Sequence, residues 1–178
     1  LGETVLVTGA SGGVGLSAIQ IGREAGAQVI AVTRSDAKAD ALRQAGAGDV
    51  VIAGEGADFS KDVQAITDQV GADVVVDTVG SRVFIPAFKS LAITGRYLVI
   101  GQLFREKISI NPAHILFKAA TIHGVINARR DQLADTVALV AAGRIRPRVA
   151  ATFPLAEAAK AHEIVESGAV TGRVVLVP

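Results

Sequence analysis

Residues 4–15 read Thr-Val-Leu-Val-Thr-Gly-Ala-Ser-Gly-Gly-Val-Gly, and the rest of the chain follows from them. The apolar start predicts a short buried strand, the glycines a tight turn, and the residues from Gly13 onward a helix. This order is typical of a dinucleotide-binding turn, in which a helix N-terminus faces the pyrophosphate. Gly12 and Gly15 hold the second and third glycine places of G-x-G-x-x-G, and Ala10 stands in the first. The expected contacts are Ala10, Ser11, Gly12, Gly13, Val14 and Gly15.

Two other interpretations of this turn remain open. Residues 9–13 also fit G-x-S-x-G, the nucleophile elbow of α/β-hydrolases. Such an elbow normally follows several strands and needs an acid and a histidine later in the chain. His162 is available as the histidine, but no acidic partner is singled out. The turn also resembles that of short-chain dehydrogenases, yet their Tyr-x-x-x-Lys pair is missing, because Gly101 follows the only tyrosine, Tyr97, by four positions.

Composition is typical of a globular chain of one domain or slightly more. The 178 residues are 50% hydrophobic and 20% charged, with a formal net charge of +1, so no general attraction to nucleic acid is implied. No apolar run is long enough to span a membrane, and no signal-peptide pattern is present. The absence of cysteine excludes disulfides and thiolate metal sites within these residues and leaves the cytoplasm as the expected location.

Short apolar runs alternate with helical patterns along the whole chain, which predicts a doubly wound parallel α/β sheet of about six strands. In the first helix, Val14, Ala18, Ile21 and Ala25 recur at helical spacing and are the expected core stripe. Strands are predicted at 5–7, 28–33, 49–52, 72–78, 96–101, 121–126 and 173–177. Helices are predicted at 13–25, 36–45, 59–70, 83–93, 112–119, 129–142 and 155–167.

The residues after the second strand bear on the choice of cofactor. An NAD site places a carboxylate here for the ribose 2′-hydroxyl, whereas an NADP site offers cations to a 2′-phosphate. Arg34 is suited to a bidentate phosphate contact, Lys38 adds a point charge, and Asp36 falls too late for the ribose. The pattern favours NADP, with NAD as the alternative. A plainer interpretation is a solvent-exposed Arg and Lys at a helix start.

Taken together, the chain resembles the cofactor-binding domain of medium-chain dehydrogenase/reductases, a superfamily that includes zinc alcohol dehydrogenases and quinone oxidoreductases. The likeness covers essentially the whole chain, is closest to the quinone-oxidoreductase-like branch, and implies the Rossmann-type fold. It is carried by the segments 9–20 (GASGGVGLSAIQ), 33–38 (TRSDAK), 77–80 (DTVG), 95–101 (GRYLVIG), 111–124 (NPAHILFKAATIHG) and 153–178. The resemblance also implies that Ser35 is a cofactor-binding residue. One departure is that Ala53 and Gly54 stand where many relatives have a tyrosine.

The resemblance implies where the nicotinamide lies, at the ends of the fourth, fifth and sixth strands. Residues after the fourth strand pack near the nicotinamide ribose, and residues at the end of the fifth strand lie beside the ring. Residues after the sixth strand present main-chain groups to the carboxamide. Here they are Thr78 and Val79, Ile100 and Gly101, and Val125 and Asn127, respectively.

The resemblance also implies a further domain that these 178 residues do not include. A GroES-like catalytic domain normally precedes this region, so we expect 1–150 to form the NADP-binding domain and 151–178 to pack towards that missing partner. The substrate pocket and any zinc would lie there, and the isolated chain would be inactive. The expected activity of the parent enzyme is hydride transfer between NADPH and a carbonyl, quinone or activated alkene. Pairing of two sixth-strand edges would give a homodimer. The alternative is a non-catalytic dinucleotide-sensing module.

Other chemistry-bearing residues indicate no catalytic or metal site. The histidines are scattered without metal-ligand spacing and are expected to be packing or surface residues. Three arginines around Pro147 are expected to form a solvated face, with a phosphate-bearing substrate as a distant alternative. These residues are His114, His123 and His162, and Arg144, Arg146 and Arg148.

Overall fold

A computed structural model describes residues 2–178 and contains a six-stranded sheet whose neighbouring strands are all parallel. The strands lie in the order β3-β2-β1-β4-β5-β6. The chain moves outward in one direction from β1 to β3 and then returns to the other side of β1 with β4. A crevice therefore opens between β1 and β4 at the carboxyl edge of the sheet. The strands are β1 (Thr4–Val7), β2 (Gln28–Thr33), β3 (Asp49–Ile52), β4 (Ala72–Asp77), β5 (Leu91–Val99) and β6 (Thr121–Gly124).

Helices cover the sheet on both faces, as the uninterrupted apolar strands require. Leu6 and Val75 belong to the core on one face, and Val7 and Val76 to the core on the other. Tyr97 of β5 is completely buried in the first core. The helices are α1 (Gly13–Glu24), α2 (Ala39–Ala45), α3 (Ser60–Ile66), α4 (Ser81–Lys89), α5 (Pro112–Lys118), α6 (Arg130–Ala141) and α7 (Ala158–Glu166).

The predicted core stripe of α1 is wrong at Val14, Ile21 and Ala25, which are exposed, and of its four residues only Ala18 packs against the core in the described residues 2–178. Val14 is 42% and Ile21 47% exposed, whereas the buried residues are Gly15, Leu16, Ile19 and Gly22. The reason is close packing: a Cβ on Gly22 would lie 3.0 Å from Cγ2 of Val29, and one on Gly15 would lie 2.6 Å from Cα of Ala10. The helix approaches the sheet through its glycines, which hydrophobic periodicity does not register.

Several element boundaries differ from the predictions for local backbone reasons. α3 ends at Ile66 rather than at 70, because Asp68 and Gln69 have positive φ angles of 49° and 68°. β5 begins at Leu91, before the predicted start at 96, and α4 correspondingly ends at Lys89. An irregularity in the pairing with β4, where Thr94 has a φ of 63°, joins the two parts of this strand.

The C-terminal segment forms a second, two-stranded parallel sheet from β7 (Val149–Pro154) and β8 (Arg173–Val177), with α7 between them. β7 was not predicted, and the expected division at residue 150 falls within it. The segment also contacts the first glycine turn: the N–H of Gly172 donates to the carbonyl of Ser11 over 2.9 Å, and Gly172 forms a bridge with Gly12. Among residues 2–178, no helix combines the length and apolar character needed to cross a membrane.

Candidate functional site: a nucleotide-binding crevice

A cavity of about 550 Å³ lies at the carboxyl edge of the sheet, above β1, β2, β3 and β4. Its walls come from the glycine turn, the ends of β2 and β3, the start of α4 and the C-terminal segment. Of the sequence-predicted residues it contains Ser11, Gly12, Gly13, Val14, Gly15, Arg34, Thr78 and Val79. This is the position at which open α/β sheets bind their ligands.

The glycine turn has the geometry of an anion site. Gly9 adopts a φ of 58° and accepts a hydrogen bond from the N–H of Gly12 over 3.1 Å. Gly9 therefore provides the left-handed residue of this turn, while Ala10 next to it is buried. A Cβ on Gly12 would meet only the carbonyl oxygen of Gly9, at 3.5 Å, so its exposed face is open to a ligand. α1 begins at Gly13 with no side-chain cap on its free N–H groups.

A buried polar network holds the other wall. The Asp77 carboxyl group accepts from the Thr8 hydroxyl over 2.6 Å and from the Tyr97 phenol over 2.7 Å. It also accepts from the N–H groups of Val79 and Gly80, over 2.9 and 3.0 Å. Burial, and then the adjacent Asp77, raise the pKa of Tyr97 well above its usual value. The network fixes the turn after β4 relative to β1 and β5.

The predicted nicotinamide residues fall in three places. Thr78 and Val79 line the cavity, and the Thr78 hydroxyl donates to the carbonyl of Thr8 over 2.9 Å. Ile100 and Gly101 stand at the neighbouring strand end, where their N–H groups donate to the carbonyl of Asp77 over 2.9 and 3.2 Å. Two residues follow β6 outside the cavity wall, and both are exposed; they are Val125 and Asn127.

The cations after β2 have different surroundings. Arg34 is exposed and lines the cavity, while Ser35, half-buried, lies outside the cavity wall. Nζ of Lys38 donates to Oγ of Ser11 over 3.4 Å, to the carbonyl of Val170 over 3.1 Å, and to the carbonyl of Gly168. Burial and the nearby charge of Arg34 lower the pKa of Lys38. Its ammonium group is thus already hydrogen-bonded within the protein.

Sequence reasoning assigned no role to two arginines of this cavity, Arg173 and Arg82. Nε of Arg173 lies 2.8 Å from the position a Cβ would occupy on Gly13, so its guanidinium covers the start of α1. Arg82 lies over the Phe104 ring, 3.6 Å from its centroid, and pairs with Glu55 and Glu106. Gly172 and Arg173 belong to a segment that carried the family resemblance. They lie so far along the chain from the glycine turn that the sequence did not predict their position beside it. Arg82 carried no sequence signal.

A second cavity, of about 850 Å³, lies between α1, α2 and residues 143–149. The three arginines around Pro147 line it, together with Arg23. The Arg144 guanidinium pairs with Glu24, and the main-chain N–H of Arg146 donates to Oε1 of Gln20 over 2.7 Å. These contacts attach the start of the C-terminal segment to the outer face of α1.

Within residues 2–178, no group of three or more potential metal ligands comes together. His114, His123 and His162 are each exposed. The donors present in this part of the chain therefore do not form a zinc site.

The strand order, the crevice and the uncapped turn define a Rossmann-type dinucleotide-binding domain. The family model described as zinc-binding dehydrogenase matches residues 13–142, and the chain belongs to this family, as the cofactor-binding domain of a medium-chain dehydrogenase/reductase. This confirms the family and fold expected from the sequence. The relatives that share this domain include proteins named as a reductase and as an alcohol dehydrogenase.

Individual relatives show how much of such a protein this chain represents. It is 36% identical over 178 residues to an acryloyl-coenzyme A reductase of Sulfurisphaera tokodaii, covering 99% of this chain and 51% of the relative. The crystal structure of AibC matches with a TM-score of 0.91 and 47% identity, over 99% of this chain and 49% of that one. An NAD-dependent alcohol dehydrogenase matches with a TM-score of 0.92 and 32% identity, over 99% and 52%. The chain thus spans about half the length of these relatives.

Proposed function

We propose that this chain binds NADP(H) in the crevice and supplies it to an oxidoreductase that transfers hydride between NADPH and a carbonyl, quinone or activated alkene. The observation that carries the proposal is the uncapped glycine turn at the crevice between β1 and β4, with Arg34 at the edge of the same cavity. The cofactor supplies the hydride, and the protein binds it, orients it and excludes water.

The pyrophosphate is proposed to lie over Gly12 and the first turn of α1. Free N–H groups and the positive end of the helix dipole favour an anion at this point. Arg173 adds a guanidinium directly over Gly13, where it can form charge-assisted hydrogen bonds to phosphate oxygens. Main-chain groups, a dipole and one cation would therefore act on the same ligand.

The preference for NADPH is proposed to depend on Arg34. It is exposed at the end of β2 and lines the cavity, where a planar guanidinium suits a 2′-phosphate. No acidic residue intervenes before Asp36, which is exposed and not part of the cavity wall. Lys38, one turn away, has its ammonium group hydrogen-bonded within the protein, so the preference is assigned to Arg34. One similar structure is named as an NAD-dependent enzyme, so similarity alone does not indicate the cofactor. The proposed preference for NADPH is therefore argued from Arg34 of this chain.

The nicotinamide is proposed to extend from the cavity towards the ends of β4, β5 and β6. Thr78 and Val79 would pack on its ribose, Ile100 and Gly101 would flank the ring, and main-chain groups near Val125 and Asn127 would meet the carboxamide. The buried Asp77 network keeps the first two of these positions rigid. Ser35 would support the adenosine end.

The substrate pocket is proposed to belong to a GroES-like catalytic domain outside this chain, with residues 151–178 packing towards it. No general acid or base is proposed within this chain, which would be inactive alone. Among the possible substrates, the name of the acryloyl-coenzyme A reductase favours an activated alkene thioester. Within residues 2–178, β6 pairs only with β5, and its exposed outer edge supports a homodimer formed by two such edges.

A Gly12→Val variant tests the location of the cofactor. Gly12 has a φ of −77°, which valine adopts, and its added side chain would project into open space. We expect unchanged thermal unfolding and loss of NADPH and NADH binding, measured by quenching or enhancement of cofactor fluorescence in the full-length protein. Gly48→Val is the matched control, since a Cβ there meets one carbonyl oxygen at 3.7 Å, outside the cavity. Wild-type affinity in the folded Gly12→Val variant would contradict the proposal.

A further inference from the structure

The Lys38 ammonium joins three segments that are distant in sequence. It lies in the short turn before α2 and contacts the glycine turn through Ser11, and its other acceptors are the carbonyls of Gly168 and Val170. All these contacts are partly buried. A lysine held by three acceptors in this way is poorly available to a further ligand, since an ammonium group has three donors.

The acceptors on the C-terminal segment lie just beyond the end of α7, at Gly168 and Val170. This helix ends at Glu166, and Gly168 follows with a left-handed φ of 64° while its N–H donates to the carbonyl of Val165. Carbonyl groups at a helix C-terminus carry partial negative charge and favour a cation. Lys38 provides that cation from another part of the fold.

The segment fastened by Lys38 leads directly to the anion site. Two residues after Val170, the N–H of Gly172 donates to the carbonyl of Ser11 over 2.9 Å. The next residue is Arg173, whose main-chain N–H donates to the carbonyl of Arg148 over 2.8 Å and whose guanidinium covers Gly13. Arg173 is therefore placed over α1 both by its pairing with β7 and by residues 168–172 lying against the glycine turn.

We propose that Lys38 is a positioning residue that fastens residues 168–172 to the glycine turn and thereby places Arg173 at the pyrophosphate site. This inference rests on the proposed function and refines the role of Lys38 within it. Lys38 then affects binding of the pyrophosphate, which NADPH and NADH share, and Arg34 alone discriminates between the two cofactors. Loss of Lys38 weakens both cofactors by a similar factor.

The test combines amide hydrogen exchange of the cofactor-free, full-length protein with titration by NADPH and NADH. Lys38→Met keeps the aliphatic stem and removes the ammonium group. We expect the Gly172 amide to exchange about tenfold faster, while amides in β1 and β4 keep their protection. Both cofactors should bind about tenfold more weakly, with their affinity ratio preserved. Lys38→Arg should restore much of the protection, and Lys61→Met, at an exposed position on α3, should change nothing.

Unchanged exchange at Gly172 in the Lys38→Met variant would overturn the inference. Selective loss of NADPH affinity would overturn it as well, because the lysine would then be a ligand of the 2′-phosphate. If the wild-type protein binds neither cofactor, the proposed function fails, and the exchange measurement still decides whether Lys38 fastens the segment.

Discussion

The phenol of Tyr97 donates a 2.7 Å hydrogen bond to Oδ2 of Asp77, and both side chains are completely buried. Oδ1 of the same carboxyl group accepts from Thr8 and from the main chain after β4. One carboxyl group thus connects β1, β4 and β5 directly beneath the proposed cofactor site. Removing a hydrogen-bond donor from such a buried carboxyl group lowers the free energy of unfolding.

Replacing Tyr97 with phenylalanine should destabilise the fold without removing ring packing. The ring packs against both Phe84 and Phe88, at centroid distances of 4.7 and 6.3 Å, and phenylalanine retains these contacts. The lost donor leaves Oδ2 of Asp77 without this partner, and we expect a loss of about 1–3 kcal/mol in the free energy of unfolding. Urea unfolding at pH 8 measures it. An unchanged midpoint would show that the hydrogen bond contributes nothing to stability.

The same pair predicts a specific response to alkaline pH. The folded-state pKa of Tyr97 is raised, so the folded protein keeps a proton that the unfolded chain releases above about pH 10. The contribution to stability is therefore complete below about pH 10 and declines as the pH rises further. The stability difference between wild type and Tyr97→Phe should narrow between about pH 9 and pH 11. A difference that stays constant over this range would contradict the assignment.

Arg173 should contribute to binding of the pyrophosphate whichever dinucleotide is present. We expect Arg173→Ala to weaken NADPH, NADH and ADP by about tenfold each, because a charge-assisted contact to phosphate is lost. Adenosine, which has no phosphate, should bind as it does to wild type. Arg130→Ala, at the exposed start of α6, is the control. If adenosine and ADP lose affinity equally, Arg173 acts on the shape of the site rather than on phosphate.

The parts of the fold and site that were predictable are those coded by neighbouring residues. The apolar run of β1, the glycines after it and the helix beyond are contiguous, so a strand–turn–helix unit and its ligand class followed directly. The place of Arg34 at the cavity was predictable for the same reason, since it directly follows β2, and its role towards a 2′-phosphate stays a prediction. These features involve short-range geometry that residue type largely determines.

The features that were missed depend on contacts between distant segments or on glycine packing. The buried face of α1 includes Gly15 and Gly22, whose importance is the closeness they permit rather than any hydrophobic side chain. Arg173 and the acceptors of Lys38 reach the glycine turn only because β7, α7 and β8 return the chain there. Tyr97 was considered only for a missing lysine partner, and its bond to Asp77 depends on the pairing of β4 with β5.

The most direct test of the proposed NADP(H) site is calorimetric titration of the full-length protein and its Arg34→Ala variant with NADPH and NADH. Arg43→Ala, an exposed arginine on α2, is the matched control. We expect wild type to bind NADPH at least about tenfold more tightly than NADH, and Arg34→Ala to remove most of this difference by weakening NADPH alone. Tighter binding of NADH by wild type, or an unchanged ratio in Arg34→Ala, would contradict it.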